Sequence, residues 1–217
     1  MKKEFEKVCE NIYGKVNTVQ ECKDEFVMFI DTLCRKPIVD IIYPKGNKRN
    51  LVDIKMIESC KGSTIAVVLE SPHRFEYDSS GQSVGPARGK TGENLSKYLL
   101  KKIKNVGIHG RYKIVLIEAI PFQCSNGLRP INKKKRDAVF QYMWKNGGES
   151  YFIQRLKSHD PEIIINACTG GVSNINDPNS LNCIVDAAIK QVPCENYFYC
   201  PHPSSLWFIL SNLKKRK

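Results

Sequence analysis

Four short stretches of the chain place ionisable or hydroxyl side chains directly after apolar runs. They are Glu70-Ser71-Pro72-His73, Glu118-Ala119-Ile120-Pro121, Cys168-Thr169-Gly170-Gly171 and His202-Pro203-Ser204-Ser205. Prolines on both sides of His202 stiffen the backbone that carries it. Carboxylates and histidines transfer protons and stabilise developing charge in catalytic sites. One such stretch could arise by chance, but four together predict a functional site.

The apolar runs are typical of strands buried on both faces. They cover residues 64–69, 112–117, 162–167 and 197–199. Helical periodicity lies between and after them, over residues 95–104, 137–156, 180–190 and 206–213. This alternation predicts an α/β fold, a three-layer α/β/α sandwich with a central, mostly parallel four-stranded sheet. Because parallel strands end at the same edge of a sheet, the four stretches are expected to share one crevice.

The rest of the chain is predicted to support this sheet within a single domain, 1–217. Residues 1–60 are expected to form a helical layer, with Asn17 or Thr18 capping a helix that ends at Pro37. The apolar positions of that helix are Phe26, Phe29, Ile30 and Leu33. Residues 61–213 would form the sheet-bearing core, and residues 214–217 a basic tail.

Composition favours a polyanionic partner. The formal net charge is +12 and the sequence pI is about 9.3, which suits nucleic acid. Nine cysteines without Cys-x-x-Cys spacing predict reduced thiols in an intracellular protein rather than a metal site. Early glutamates interrupt any signal peptide, and no apolar run reaches membrane-spanning length. We expect a cytoplasmic protein that binds DNA, has no membrane association, and needs no cofactor, metal or obligate protein partner.

A nucleotide-hydrolysing enzyme is the first competing interpretation, because Gly89-Lys90-Thr91 resembles part of a phosphate-binding loop. The complete pattern requires glycine at position 84, where this chain has valine, and the preceding strand ends too early. Arg88 and Lys90 instead suit the backbone phosphates of a nucleic acid at a helix start.

The four stretches, in their order and spacing, resemble the motifs of the uracil-DNA glycosylase superfamily over roughly residues 62–210. His202-Pro203-Ser204-Ser205-Leu206 is similar to the last family motif, and Leu69-Glu70-Ser71-Pro72-His73 loosely to the first. The resemblance implies removal of a base that has been swung out of DNA. It implies that His202 stabilises charge on the leaving base and that Ser204 and Ser205 grip flanking phosphates. Leu206 would be the wedge that fills the vacated space, unless it is a core residue.

Glu118 stands where the family usually has a base-reading asparagine. An ionised carboxylate would repel O4 of uracil, whereas a protonated one donates to N3 of cytosine and accepts from its N4 amino group. Burial would raise the carboxyl pKa in that direction. A protonated Glu118 could also rotate to satisfy uracil, and a glutamate paired with lysine or arginine is the structural alternative.

The first motif also departs from the family. His73 replaces a tyrosine that crowds the 5-position of the base, which suggests room for a 5-modified cytosine and a role in antiphage defence. Ser71 stands in place of the water-positioning aspartate, so Glu70 is the candidate base if the loop is shifted, with Glu76 or Asp78 more distant. The aromatic residues that could stack on the base are Phe75, Tyr77 and Phe122, with Tyr77 favoured.

The sequence therefore predicts a monofunctional DNA glycosylase, preferably for modified cytosine. Two alternatives stay open: an ordinary uracil-DNA glycosylase, and a catalytically silent DNA-binding module on the same fold.

Overall fold

The computed structural model of the chain describes residues 1–14, 20–33, 39–40, 60–125, 132–172 and 177–216. Its strands are β1 (Glu25–Asp31), β2 (Val39–Asp40), β3 (Ser63–Leu69), β4 (Arg111–Glu118), β5 (Pro161–Asn166), β6 (Asn196–Tyr199) and β7 (Lys214–Lys215). Its α-helices are α1 (Lys2–Tyr13), α2 (Lys90–Asn105), α3 (Lys133–Met143), α4 (Glu149–Ser158), α5 (Leu181–Ile189) and α6 (Leu206–Leu210). None of the helices in these ranges is both long and apolar enough to span a bilayer.

The described strands form one mixed sheet in the order β2-β1-β4-β3-β5-β6-β7. The four predicted strands, β3 to β6, lie at its centre and pair in parallel. The outer pairings, made by β1, β2 and β7, are antiparallel. The α/β class is confirmed, but the predicted four-stranded sheet was too small, because three strands that add to its edges were missed.

The register of the central strands brings their carboxyl ends level with one another. Leu69 pairs with Glu118, and Val68 pairs with Asn166, which in turn pairs with Tyr199. The backbone N–H of Ala119 then donates to the Leu69 carbonyl at 2.9 Å. The polar stretches that follow these strands therefore begin at the same edge of the sheet, as predicted.

The prediction of a helix through Phe26, Phe29 and Ile30 was wrong. These residues lie in β1, which is buried over Val27–Asp31 between β2 and β4. The residues share a helical spacing, but the chain is apolar at every position from 26 to 30, a run that fits a strand covered on both faces. The proposed cap, Asn17 or Thr18, and Pro37 lie outside the described residues.

Helices cover both faces of the sheet. On one face, α1, α3, α4 and α5 bury a cluster that includes Phe5, Phe140, Phe152 and Val185. On the other, α2 and α6 bury Leu95, Leu99 and Phe208. The predicted helix over 137–156 is two helices, since a π-helical turn at Trp144–Gly148 with non-helical backbone at Asn146 and Gly147 separates α3 from α4. The last predicted helix ends at Leu210 rather than Leu213.

Candidate functional site

A cavity of about 500 Å³ opens at the carboxyl edge of the central strands. Every one of the four polar stretches contributes to its wall. The lining residues are Leu69, Glu70, Ser71, Pro72, His73, Phe75, Glu76, Arg88, Lys90, Thr91, Glu118, Ser125, Arg136, Thr169, His202, Ser204 and Ser205. The structure therefore brings together Glu70, Glu118 and His202, which lie far apart in the chain.

Glu118, the last residue of β4, is 3% exposed and presents an unpaired acid group. Its Oε2 is buried and has no hydrogen-bond partner within the described residues. Arg155 donates to the main-chain carbonyls of Glu118 and Ala119, at 2.6 and 3.2 Å, rather than to the side chain. No hydrogen bond or ion pair in the described residues joins the Glu118 carboxyl group to a basic side chain, although the Arg155 charge acts to lower its pKa.

The protonation of Glu118 follows from its surroundings. Burial, followed by the neighbouring charges of Glu76 and Glu70, raises the pKa of Glu118 well above its usual 4.5. These surroundings therefore favour the protonated form of the carboxyl group. In that form it has one O–H donor and an acceptor oxygen, whereas a carboxylate could only accept.

Glu70 is the second acid in the cavity, and it is held by two partners. Its Oε1 lies 3.2 Å from Nε of Arg136 and accepts a hydrogen bond from Ser71 Oγ at 3.2 Å. Burial raises the pKa of Glu70 to about 7, although the charge of Arg136 opposes the rise. Because both protonation states are accessible near neutral pH, Glu70 has the pKa of a group that can donate or accept a proton.

The guanidinium of Arg136 is held in place by hydrogen bonds to Asp137. Its Nε and Nη2 donate to Asp137 Oδ1 at 2.8 and 2.6 Å, and Asp137 Oδ2 accepts from the backbone N–H of Val172 at 2.6 Å. The pair ties α3 to the loop after β5. It places a guanidinium in the wall beside Glu70.

His202 has a defined donor nitrogen. Its Nδ1 accepts from the backbone N–H of Ser204 at 3.3 Å and lies 2.9 Å from Ser204 Oγ. Since a backbone N–H can only donate, Nδ1 carries no proton in the neutral ring and Nε2 carries it. Desolvation of the half-buried ring, with the charges of Arg136 and His73, lowers the pKa of His202 to about 4. His202 is thus a neutral hydrogen-bond donor near pH 7.

A third buried acid, Glu76, is hydrogen-bonded to the backbone of the loop that follows β3. Its Oε2 accepts from the backbone N–H of His73 at 2.9 Å, and His73 Nδ1 accepts from the N–H of Phe75 at 3.4 Å. Burial raises the pKa of Glu76 to about 8. These two hydrogen bonds hold His73 in the cavity wall.

One part of the cavity wall carries basic and aromatic side chains, from Phe75, Arg88 and Lys90. Phe75 is 50% exposed, with the guanidinium of Arg74 4.7 Å from its ring centroid and the ring of His73 4.8 Å away. Arg88 donates to the Val84 carbonyl from both Nε and Nη2, at 3.1 and 2.5 Å. Lys90 begins α2 and is largely exposed, with its Nζ 3.7 Å from Oε2 of Glu93.

Not every predicted residue lies in the wall. Phe122 is buried and stacks on Phe5 with ring centroids 5.0 Å apart, and Tyr77 packs against the same core cluster. Asp78 binds Ser80 in an exposed turn. Leu206 is 66% exposed, so the alternative that Leu206 is a core residue was wrong.

Three polar wall residues were not predicted as site residues: Thr91, Ser125 and Arg136. Arg136 ends a run of three lysines that resembles a solvated helix face. Thr169 lies in the stretch after the third predicted strand, which the sequence assigned to the site. Within the described residues, no group of three or more His, Cys, Asp or Glu side chains is arranged to hold a metal ion.

Comparison of the chain with models of known protein families, with curated proteins and with solved structures found no match.

Proposed function

We propose that the protein is a DNA glycosylase that extrudes a 5-modified cytosine into the cavity and hydrolyses its N-glycosidic bond, leaving an abasic site. The observation that carries this proposal is Glu118, a buried and unpartnered acid in the same cavity as the neutral donor His202. Supporting it are the level strand ends, the order of the motifs, which resembles the uracil-DNA glycosylase superfamily, and the net charge of +12.

The protonated Glu118 reads the pairing edge of cytosine. Its O–H donates to N3, and its carbonyl oxygen accepts from the N4 amino group. A base can present this edge only after leaving the duplex, where the edge is otherwise paired to guanine. Uracil offers a proton at N3 and a carbonyl at position 4, so it satisfies the same acid only with the donor and acceptor exchanged.

Bond cleavage divides among three side chains. As the C1′–N1 bond breaks, its electron pair goes to the base, while Nε2–H of His202 stabilises charge on O2 and Glu118 transfers its proton to N3. The base leaves neutral. Water adds its oxygen to C1′ and gives a proton to Glu70. Glu70 then releases that proton to solvent, and Glu118 takes one up from solvent, which restores both groups.

The size and lining of the cavity favour a substituted base. About 500 Å³ is the volume of a pocket for a drug-sized ligand, more than a single pyrimidine ring requires. His73 stands where the resemblance places a crowding tyrosine, and Phe75 rather than Tyr77 offers the aromatic surface at the wall. A substituent at C5 can then be accommodated, and excision of such bases would serve defence against phages whose DNA carries them.

A catalytically silent DNA-binding module is the second candidate, because the Glu70 carboxylate is already engaged by Arg136 at 3.2 Å. The two functions separate in a base-release assay. Oligonucleotides containing cytosine, uracil, 5-hydroxymethylcytosine or its glucosylated derivative are incubated with the protein, and abasic sites are then cleaved with alkali.

We expect strand cleavage at a modified cytosine and none with the His202→Ala control. Cleavage at uracil alone would refute the reading of cytosine by Glu118 and leave a uracil-DNA glycosylase. Binding of every oligonucleotide without an abasic product would refute excision and favour the silent module.

A further inference from the structure

Helix α6 carries an apolar surface on which only Leu206, the expected wedge, has been given a role. Leu206, Trp207 and Leu210 are 66%, 70% and 67% exposed. Leu210 is four residues from Leu206 and three from Trp207, so the side chains are neighbours on one side of the helix. We refer to these three residues as the α6 apolar patch. A contiguous set of large exposed apolar side chains commonly marks a binding surface.

Buried contacts on the opposite side of α6 hold the α6 apolar patch in place. Phe208, on the opposite side of α6, is fully buried, and its backbone N–H donates to Ser205 Oγ at 3.2 Å. Lys102 lies 4.7 Å from the Phe208 ring centroid and donates to the Ser211 carbonyl. At the start of the segment, Asn94 Nδ2 donates to the Pro203 carbonyl at 2.6 Å. A partner would therefore meet a surface that is already ordered.

The patch continues directly from the cavity wall. Ser204 and Ser205 line the cavity, and Leu206 and Trp207 are the next residues. Consecutive Cα atoms are about 3.8 Å apart, so the Cα of Trp207 lies within about 7.6 Å of that of Ser205. Successive phosphates of one B-DNA strand are about 3.4 Å apart along the axis. The Cα of Trp207 thus lies within about two nucleotide spacings of the cavity wall.

We propose that Trp207 stacks on an unpaired nucleobase next to the extruded nucleotide, with Leu210 supporting the contact, and that the protein consequently prefers single-stranded or locally unpaired DNA. This inference rests on the proposed function in taking DNA as the ligand. Charge selects that occupant: the chain carries a net charge of +12, and exposed Lys214 and Lys215 follow the patch. A basic surface with an exposed aromatic ring is the combination used to bind single strands, since every base offers a face for stacking.

The two tryptophans of the chain allow a direct test, because Trp144 is buried and Trp207 is exposed. Unmodified 12-nucleotide single strands and the matching duplex are titrated into the full-length protein, following tryptophan emission and the anisotropy of a labelled strand. The variants are Trp207→Ala and Trp207→Phe. Leu33→Ala, at another strongly exposed leucine beyond β1, is the matched control.

We expect the single strand to quench emission in the wild type and not in Trp207→Phe, which retains only Trp144. Trp207→Ala should weaken single-strand binding by about 5- to 150-fold, as expected for the loss of one stacked base. Trp207→Phe should bind within about fivefold of the wild type, duplex binding should change less than single-strand binding, and Leu33→Ala should change neither.

Unchanged single-strand affinity in Trp207→Ala, or an equal loss for single strand and duplex, would overturn the stacking proposal. A change in sedimentation of Trp207→Ala without a change in DNA affinity would overturn it in favour of a contact between copies. Base-release assays on the same proteins separate the two proposals. If the wild type excises the base but Trp207→Ala keeps its single-strand affinity, the stacking proposal is refuted and the glycosylase proposal stands. If Trp207→Ala loses single-strand affinity but the wild type excises no base, the glycosylase proposal is refuted and the stacking proposal stands.

Discussion

Replacing Glu118 with glutamine tests the role of its proton while preserving its shape. Glutamine keeps one donor and one acceptor, so it can still bind N3 and N4 of cytosine, but it cannot transfer a proton. General acid catalysis contributes typically 10² to 10⁴ in rate. We expect Glu118→Gln to lower the single-turnover excision rate of modified cytosine by about that factor, with DNA affinity within about tenfold of the wild type.

The same substitution should change how stability depends on pH. Because burial raises the pKa of Glu118 well above 4.5, the folded chain holds a proton that the unfolded chain releases above that pH. The stabilisation is fully present below pH 4.5 and is lost as pH rises towards the folded pKa. One such group lowers the free energy of unfolding by about 1.4 kcal/mol per pH unit in this window.

Urea denaturation at pH 5.5, 6.5 and 7.5 measures this slope. We expect Glu118→Gln to flatten the decline, by at most about 1.4 kcal/mol per pH unit. Glu10→Gln, at an exposed glutamate of α1, is the matched control and should leave the slope unchanged. If Glu118→Gln excises at the wild-type rate and has the wild-type slope, Glu118 is not a buried acid and the reasoning fails.

Other predictions follow from the remaining wall residues. His202→Ala should abolish base release while DNA affinity, measured by anisotropy, stays within about threefold, because only one hydrogen bond to the base is lost; a parallel loss of binding would indicate a structural role. The excision rate should rise with pH through about 7 as Glu70 ionises, and Glu70→Gln should remove this limb of the profile. Arg136→Gln should move the limb to higher pH, since the Arg136 charge lowers the Glu70 pKa; an unmoved limb would assign it to another group. Alanine at both Arg88 and Lys90 should weaken binding to all DNA sequences and reduce the salt slope by about two, which titrations at several salt concentrations measure.

The central strands and their shared edge were predictable because both depend on local pattern. Continuous apolar runs at 64–69 and 112–117 identify buried strands, and parallel pairing then brings Glu70 and Glu118 to one edge. The fold at β1 was not predicted, since Phe26, Phe29 and Ile30 satisfy a helical spacing as well as a strand. Only pairing with β4, a tertiary interaction, decides between them.

The chemistry of the site was predictable in kind but not in its supporting contacts. The sequence indicated that Glu118 and His202 would meet and that burial would raise the pKa of the Glu118 carboxyl group. It did not indicate that Arg136, at the end of a lysine run, would reach Glu70, because that contact depends on how α3 packs across the sheet. Tyr77 was preferred over Phe75 as the aromatic residue that would stack on the base. The cavity wall contains Phe75 instead, because Tyr77 packs against the core, and that packing cannot be seen in the sequence.

The central claim is that Glu118 and His202 hold the same extruded nucleotide. It is tested most directly by a crystal structure with an oligonucleotide whose 5-hydroxymethylcytosine carries a 2′-fluoroarabino sugar, which resists hydrolysis. We predict the base inside the cavity, with N3 and N4 within hydrogen-bond distance of the Glu118 carboxyl group and O2 within hydrogen-bond distance of His202 Nε2. A modified cytosine that remains stacked in its strand, or that enters the cavity with its pairing edge turned away from Glu118, would contradict the account.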